Sequence, residues 1–284
     1  MTESALPVVR TVADLRTEVR RWRADGLSVA LTPTMGFLHE GHLSLVRAAK
    51  AGCEAVVASI FVNPTQFGPN EDFSKYPRTF EADCKLLESE GVDVLFAPDA
   101  KEMYRPGSAT FVEVAGLSDR LDGASRPGHF RGVATVVAKL FLAAEPDRAY
   151  FGQKDAAQVA VLRRMVADLG LPVELVVCPI VREADGLAMS SRNRYLSQEE
   201  RRQALVLSRA LHAVQRRAQS GERETSLLAE AARQVFATEP AVRVDYIAAV
   251  DWRTLLPVEE AAPGTLFAVA AWIGQTRLID NVLL

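Results

Sequence analysis

The strongest constraint in this sequence is an apolar run that recurs with helical stretches between its copies. Residues 55–62 are nearly all apolar (Ala, Val, Val, Ala, Ser, Ile, Phe, Val), and Asn63-Pro64 ends the run. A strand with no polar face is one buried on both sides of a parallel sheet. Residues 27–31, 92–97, 149–151 and 173–177 read the same way, and 111–114 reads as a further short strand. Helical patterns fall between them, at 11–24, 43–50, 79–90, 133–144 and 156–168. In the first of these, Val12, Leu15, Val19 and Trp22 are spaced by three and four, which puts them on one helix face. Strands alternating with helices predict an α/β fold, a Rossmann-like doubly wound parallel sheet. Right-handed crossovers then gather the strand ends on one edge.

The pattern changes after Val181. Residues 182–191 are polar and irregular, and Ser197-Gln198-Glu199-Glu200 is a capping-box signature for a long helix over 198–220. A second helix is expected over 226–237. Val242, Val244 and Tyr246 alternate as in a half-exposed strand, and 266–273 and 277–283 flank a hairpin-like Gly274-Gln275. The expected organisation is therefore residues 1–181 as the nucleotide-binding, Rossmann-like domain and 182–284 as a smaller α+β domain closing over its site.

Charge and composition exclude several classes. The formal net charge is −3, so no basic field for nucleic acid is present. Cys53, Cys84 and Cys178 are far apart, without zinc spacing, and read as buried thiols of a reducing, cytoplasmic compartment. Residues 1–9 lack the cationic start and apolar core of a signal peptide. No apolar run reaches the ~18 residues of a membrane span.

Three polar stretches sit where the pattern places ligands, at the carboxyl ends of strands. The first is Pro33-Thr34-Met35-Gly36-Phe37-Leu38-His39-Glu40-Gly41-His42, between a strand and a helix. His39 and His42 are three apart on an opening turn, where free N–H groups and the helix dipole favour phosphate. They can stabilise charge developing at phosphorus. A metal pair or two structural histidines are the alternatives. The second stretch is Gly152-Gln153-Lys154-Asp155, where Lys154 offers a mobile charge to phosphate and Asp155 an acceptor for ribose or an N-cap. A solvated turn is its alternative. The third is Met189-Ser190-Ser191-Arg192-Asn193-Arg194, an anion cradle or a cluster of caps. Asn63, Gln66 and Gln158 suit a small hydroxylated substrate, or are cap residues. Asp83 offers a carboxylate to Mg²⁺ alongside phosphate oxygens, or is an exposed helix acid. The loop 65–78 is long for a simple connection and reads as functional or a lid.

Taken together, these segments resemble the pantothenate synthetase (pantoate–β-alanine ligase) family of His-x-Gly-His nucleotidyltransferases. The resemblance runs through His39-Glu40-Gly41-His42, Ser59-Ile60-Phe61-Val62-Asn63-Pro64, Tyr76-Pro77-Arg78-Thr79, Arg126-Pro127-Gly128-His129-Phe130-Arg131-Gly132-Val133, Asp185-Gly186-Leu187-Ala188-Met189-Ser190-Ser191-Arg192-Asn193 and Arg277-Leu278-Ile279-Asp280-Asn281. It implies ATP, pantoate and β-alanine as substrates, a pantoyl-adenylate intermediate, Mg²⁺ with the ATP, and a homodimer formed through the first domain. It also implies site roles. Met35, Gly36, Phe37, Leu38, His39, Glu40, Gly41 and His42 line the ATP site, with His42 the proton donor beside His39. Lys154 and the Met189, Ser190, Ser191, Arg192 loop hold phosphates; Gly152, Gln153, Asp155 and Val181 surround the nucleotide. Gln66, Gln158 and Asn63 hold pantoate, with Gln66 also toward β-alanine, and Asp83 is the metal residue. Gln153 stands where the family commonly has Glu, and Ala156 and Ala157 where it has an aromatic residue and Gln. The competing functions are a nucleotidyltransferase that leaves its nucleotide on the product, a tRNA synthetase fragment, and a non-catalytic nucleotide binder.

Overall fold

The computed structural model describes residues 6–69, 71 and 73–284. The first five residues of the segment read above for a signal peptide, and Asn70 and Asp72 of the 65–78 loop, lie outside the described residues. Among the described residues the strands are β1 (Val8–Val9), β2 (Val29–Thr34), β3 (Ala55–Ile60), β4 (Val94–Phe96), β5 (Arg148–Gly152), β6 (Glu174–Cys178), β7 (Arg243–Asp251), β8 (Thr265–Ile273) and β9 (Thr276–Leu283). The first six form one parallel sheet in the order β1-β4-β3-β2-β5-β6. The chain steps outward from β2 through β3 to β4, then returns to β5 on the other side of β2. That reversal opens a crevice between β2 and β5, at the carboxyl ends where doubly wound folds bind ligands.

Alternation along β2 explains why its residues are apolar on both faces. Val29 and Leu31 join a core with helices Val12–Ala24 and His129–Ala144, while Ala30 faces Leu45, Val46 and Ala49 of helix Glu40–Gly52. The second sheet, β7-β8-β9, is antiparallel, and its central strand β8 is buried on both faces. Leu266 and Ala268 of β8 pack into the core of the first sheet. Phe267, Val269, Ala271 and Ile273 pack against helices Val206–Gln219 and Thr225–Phe236. The two halves of the chain thus share apolar surface as well as a boundary.

Several expected elements shift. β2 begins two residues later than the apolar run and continues through Thr34, whose hydroxyl donates to the Ser59 carbonyl at 2.7 Å. The helix after it starts at Glu40, not Leu43. The long helix is two, Gln198–Ala204 and Val206–Gln219, divided at Leu205. Residues 111–114 form no strand; Val112 instead bonds Thr135 Oγ1 through its N–H at 2.9 Å. The two-residue β1 was not expected. Among the described residues no helix is long and apolar enough to cross a membrane.

Candidate active site

At the end of β2 the chain turns through two successive positive-φ residues, Gly36 (φ +80°) and Phe37 (φ +52°). A bulky residue in this region is strained and needs outside support. Asp83, on helix Phe80–Ser89, supplies it. Its Oδ2 accepts the Phe37 N–H at 2.8 Å, its Oδ1 the Leu38 N–H at 2.9 Å, and Thr79 donates to Oδ1 at 3.2 Å. Ser191 donates to the Phe37 carbonyl at 3.3 Å, and the Arg194 guanidinium sits 4.5 Å over the Phe37 ring. Asp83, the residue expected to hold a metal, thus bonds this turn with both of its oxygens. It is buried, both oxygens are committed, and its work is to brace the turn.

The brace sets up the histidines. His39 is the N-cap of helix Glu40–Gly52, and its Nδ1 accepts the Gly41 N–H at 3.2 Å. His42 closes a capping box, its Nδ1 accepting the His39 N–H at 3.3 Å. A nitrogen that accepts a backbone N–H carries no proton, so in both neutral rings the proton sits on Nε2. The ring centroids are 4.1 Å apart. Burial, with Lys154 nearby, pushes His39 down to about 4. Burial, His39 and Lys154 push His42 down to about 3. Both are neutral N–H donors at pH 7.

Three cavities border one another here, all of them lined by Asp155 and Arg192. One is lined by Met35, His39, Gly41 and His42, by Gly152, Lys154 and Asp155, and by Val181, Met189, Ser190, Ser191 and Arg192. The three phosphate-type stretches of the sequence therefore form its walls. A second has Phe61, Val133, Val136 and Phe151 facing Asn63, Gln66 and Gln158. Met35, His42, Tyr76, Asp155 and Arg192 border both. A third runs from Lys154 and Gln158 past Arg126 and His129 to Arg277.

Other expected residues take different places. Gly36 faces Asp83 and Ile60; Leu38 is in the core; Phe37 lies under Arg194; Glu40 is outside, paired with Arg47 at 2.7 Å. These four shape the turn rather than line a cavity with their side chains. Gln153 is likewise turned away, its Nε2 donating to Asn281 Oδ1 at 3.2 Å. Asn63 borders the second cavity, but its amide is fully used. Oδ1 accepts from Thr65 and Tyr104, and Nδ2 donates to Gln66 Oε1 at 3.1 Å and to the Gly132 carbonyl. It orients Gln66 instead of reaching for a ligand.

Arg126 and His129 were given no role by sequence reasoning. Arg126 forks onto Glu71 at 2.6 and 2.7 Å and donates to the Gln66 carbonyl. His129 bonds the same carbonyl through Nδ1 at 2.9 Å, and burial lowers its pKa to about 4. The available signal was a histidine at the first position of a helix, after the turn glycine Gly128.

Gly132 meets the Thr65–Gln66 backbone so closely that a Cβ would lie 2.7 Å from Gln66 Cα. Gly132→Ala should therefore cost ~1–3 kcal/mol of stability, as overpacking does. Urea unfolding measures it, and an unchanged midpoint would mean that the helix moves away freely.

The three depressed imidazoles also set the acid behaviour. Between the ordinary value of 6.5 and about 4, the unfolded chain binds protons that the folded chain excludes. Stability therefore rises with pH across that window and is lost on acidification, by ~1.4 kcal/mol per pH unit for each imidazole. His129→Gln should flatten a urea-unfolding series between about pH 4 and 7 by one such increment. An unchanged slope would assign the acid limb to carboxylates.

Comparison with known proteins places this geometry. The family model described as pantoate-beta-alanine ligase matches residues 7–283. Among curated relatives, a pantothenate synthetase of Acidobacterium capsulatum is 66% identical, covering 96% of this chain and 95% of its own. One of Koribacter versatilis is 58% identical over 98% and 95%. A crystal structure of pantothenate synthetase from Thermus thermophilus superposes with a TM-score of 0.93 at 50% identity, covering 98% of this chain and 99% of that one. The pantoate-beta-alanine ligase of Francisella tularensis, complexed with beta-gamma ATP and beta-alanine, gives 0.79 at 32% identity, covering 98% of each.

Proposed function

The chain belongs to the pantoate-beta-alanine ligase family, and we propose that its joined cavities condense pantoate with β-alanine through a pantoyl adenylate. ATP occupies the cleft walled by His39, His42, Lys154 and Ser190–Arg192. Pantoate occupies the second cavity, its dimethyl carbon against Phe61, Val133 and Val136 and its hydroxyls toward Gln66 and Gln158. The observation that carries this reading is that His42 borders both cavities. Its Nε2–H then faces the place where a carboxylate would meet an α-phosphate.

The pantoate carboxylate is already ionised at neutral pH and needs no base. One of its oxygens bonds to the α-phosphorus as the bond to pyrophosphate breaks, and the electron pair leaves on pyrophosphate. The chain's task is to position two anions and disperse the charge that moves outward. Neutral His39 and His42 donate to phosphate oxygens; Lys154 and Arg192 take up charge on the departing group. The β-alanine amine then attacks the acyl carbon, the bond to AMP breaks, and the amine's proton is lost. Mg²⁺ travels with the phosphates of ATP. Asp83 bonds the turn through both oxygens, and among the described residues no group of three or more His, Cys, Asp or Glu could hold a metal without the phosphates. No step here is routed through the ion.

Three broader readings go with this one. Residues 182–284 act as a unit that closes on the nucleotide. Exposed Phe111, in a stretch with no strand partner among the described residues, supports a homodimer built through the first sheet's half of the molecule. Three free cysteines fit a reducing cytoplasm.

ATP–pyrophosphate exchange with pantoate present and β-alanine absent tests the mechanism. Exchange is expected, because the adenylate forms before the amine is needed. No exchange, together with no pantothenate from the full mixture, overturns it.

A further inference from the structure

Asp280 and Asn281 are adjacent on β9, and both are buried. Strand alternation sends their side chains to opposite faces of the sheet. Asp280 takes Arg182 in a fork, at 2.7 and 3.0 Å, and Arg182 also donates to the Gly186 carbonyl at 3.1 Å. That pins the turn leading into Met189–Arg192, whose Met189 N–H bonds Val181 at 3.0 Å. Asn281 faces the other way. Its Nδ2 donates to the Gln153 carbonyl at 3.0 Å and the Lys154 carbonyl at 2.9 Å, and its Oδ1 accepts from Gln153 Nε2 at 3.2 Å. One buried amide thus spends two donors and its acceptor on a single dipeptide more than a hundred residues away.

That dipeptide is a short turn between β5 and helix Ala156–Leu169. Asn281 bonds both carbonyls of this turn from a distant strand. With Asn281 in place, a strand of the second sheet fixes the turn, and the adjacent residue of that strand anchors the opposite wall.

We propose that Asn281 is a positioning residue for adenylate formation. Its amide holds the Gln153–Lys154 peptide so that the Lys154 ammonium stands at a set distance from the Ser190–Arg192 loop, which Asp280 anchors through Arg182. The proposal rests on the reading of the cleft given above. Asn281 touches no reacting atom, and its effect passes through Lys154.

The test is a double-mutant cycle read by single-turnover adenylation. Asn281→Ala should slow adenylation by ~10–100-fold, the scale of a misplaced catalytic group, with KM for ATP changed by less than about threefold. In a Lys154→Ala background the same substitution should cost less than about twofold, because the group it positions is gone. Asn281→Asp, of the same size, keeps the acceptor for Gln153 but sets a carboxylate against two carbonyl oxygens; it should be at least as slow, and it carries the cycle if the alanine variant does not fold. Gln153→Ala, which removes one bond of the three, should cost less than either. Asn281→Ala at the full rate, or an equal loss with and without Lys154, overturns the positioning role. A wild-type enzyme without pyrophosphate exchange would instead overturn the reading of the cleft itself.

Discussion

Replacing Lys154 by Ala is expected to slow adenylate formation by ~10²-fold or more, the loss that follows removal of one preorganised charge-stabilising group. Lys154 borders both the nucleotide cleft and the channel toward Arg126 and Arg277. On the proposed reading its ammonium stands where negative charge accumulates as pyrophosphate departs. That charge is greater in the transition state than in bound ATP, so the loss should fall on kcat and kcat/KM alike. Arginine should not restore it: a wide planar fork replaces a compact point charge in a cleft already lined by Arg192. Rapid-quench measurement of the first turnover, with pantoate and labelled ATP, is the check. A variant that forms adenylate at the wild-type rate would show that Ser190–Arg192 and the histidines carry the leaving group unaided.

How much of this was legible in the sequence depends on how far away each residue's partner lies. His39 and His42 could be read because their meaning is local: an apolar run, a turn and a helix start lie within a few residues. Asp83 could not, because the N–H groups it braces belong to Phe37 and Leu38, some forty-five residues earlier. On its own helix it is only an acid in the first turn. The same holds for Asn281, whose partners are Gln153 and Lys154, and for Arg126, whose fork on Glu71 crosses fifty-five residues. The fold class was legible because the apolar runs are long enough to exclude a solvent-facing sheet. Two misread elements have physical causes as well. Residues 111–114 are apolar at three of four positions, but a strand requires a neighbour, and here the Val112 N–H goes to a threonine side chain. The helical pattern over 198–220 is continuous in its apolar positions, so nothing in it announces the break at Leu205.

Replacing His42 by Ala should slow adenylation by ~10²–10³-fold, the range found for removing one aimed N–H donor. The pH profile should show why. With its pKa down to about 3, and that of His39 to about 4, neither ring carries a positive charge above pH 5 or so. The working form of each is the neutral one. Adenylation should therefore stay level from about pH 6 to 8 and fall only on the acid side, as the rings take up protons. An imidazolium acid would give the opposite sign, a rate that falls as pH rises through the ordinary 6.5. The substitution also removes a capping-box acceptor, since His42 Nδ1 receives the His39 N–H. Losing a cap of this kind costs ~1 kcal/mol of stability, which leaves the protein folded and cannot account for so large a rate loss. His42→Gln retains a side-chain N–H and should recover part of the rate without altering the pH profile. If the wild-type rate instead declines with a midpoint near 6.5, and that decline is absent in His42→Ala, the ring works as a charged acid and the neutral-donor assignment fails.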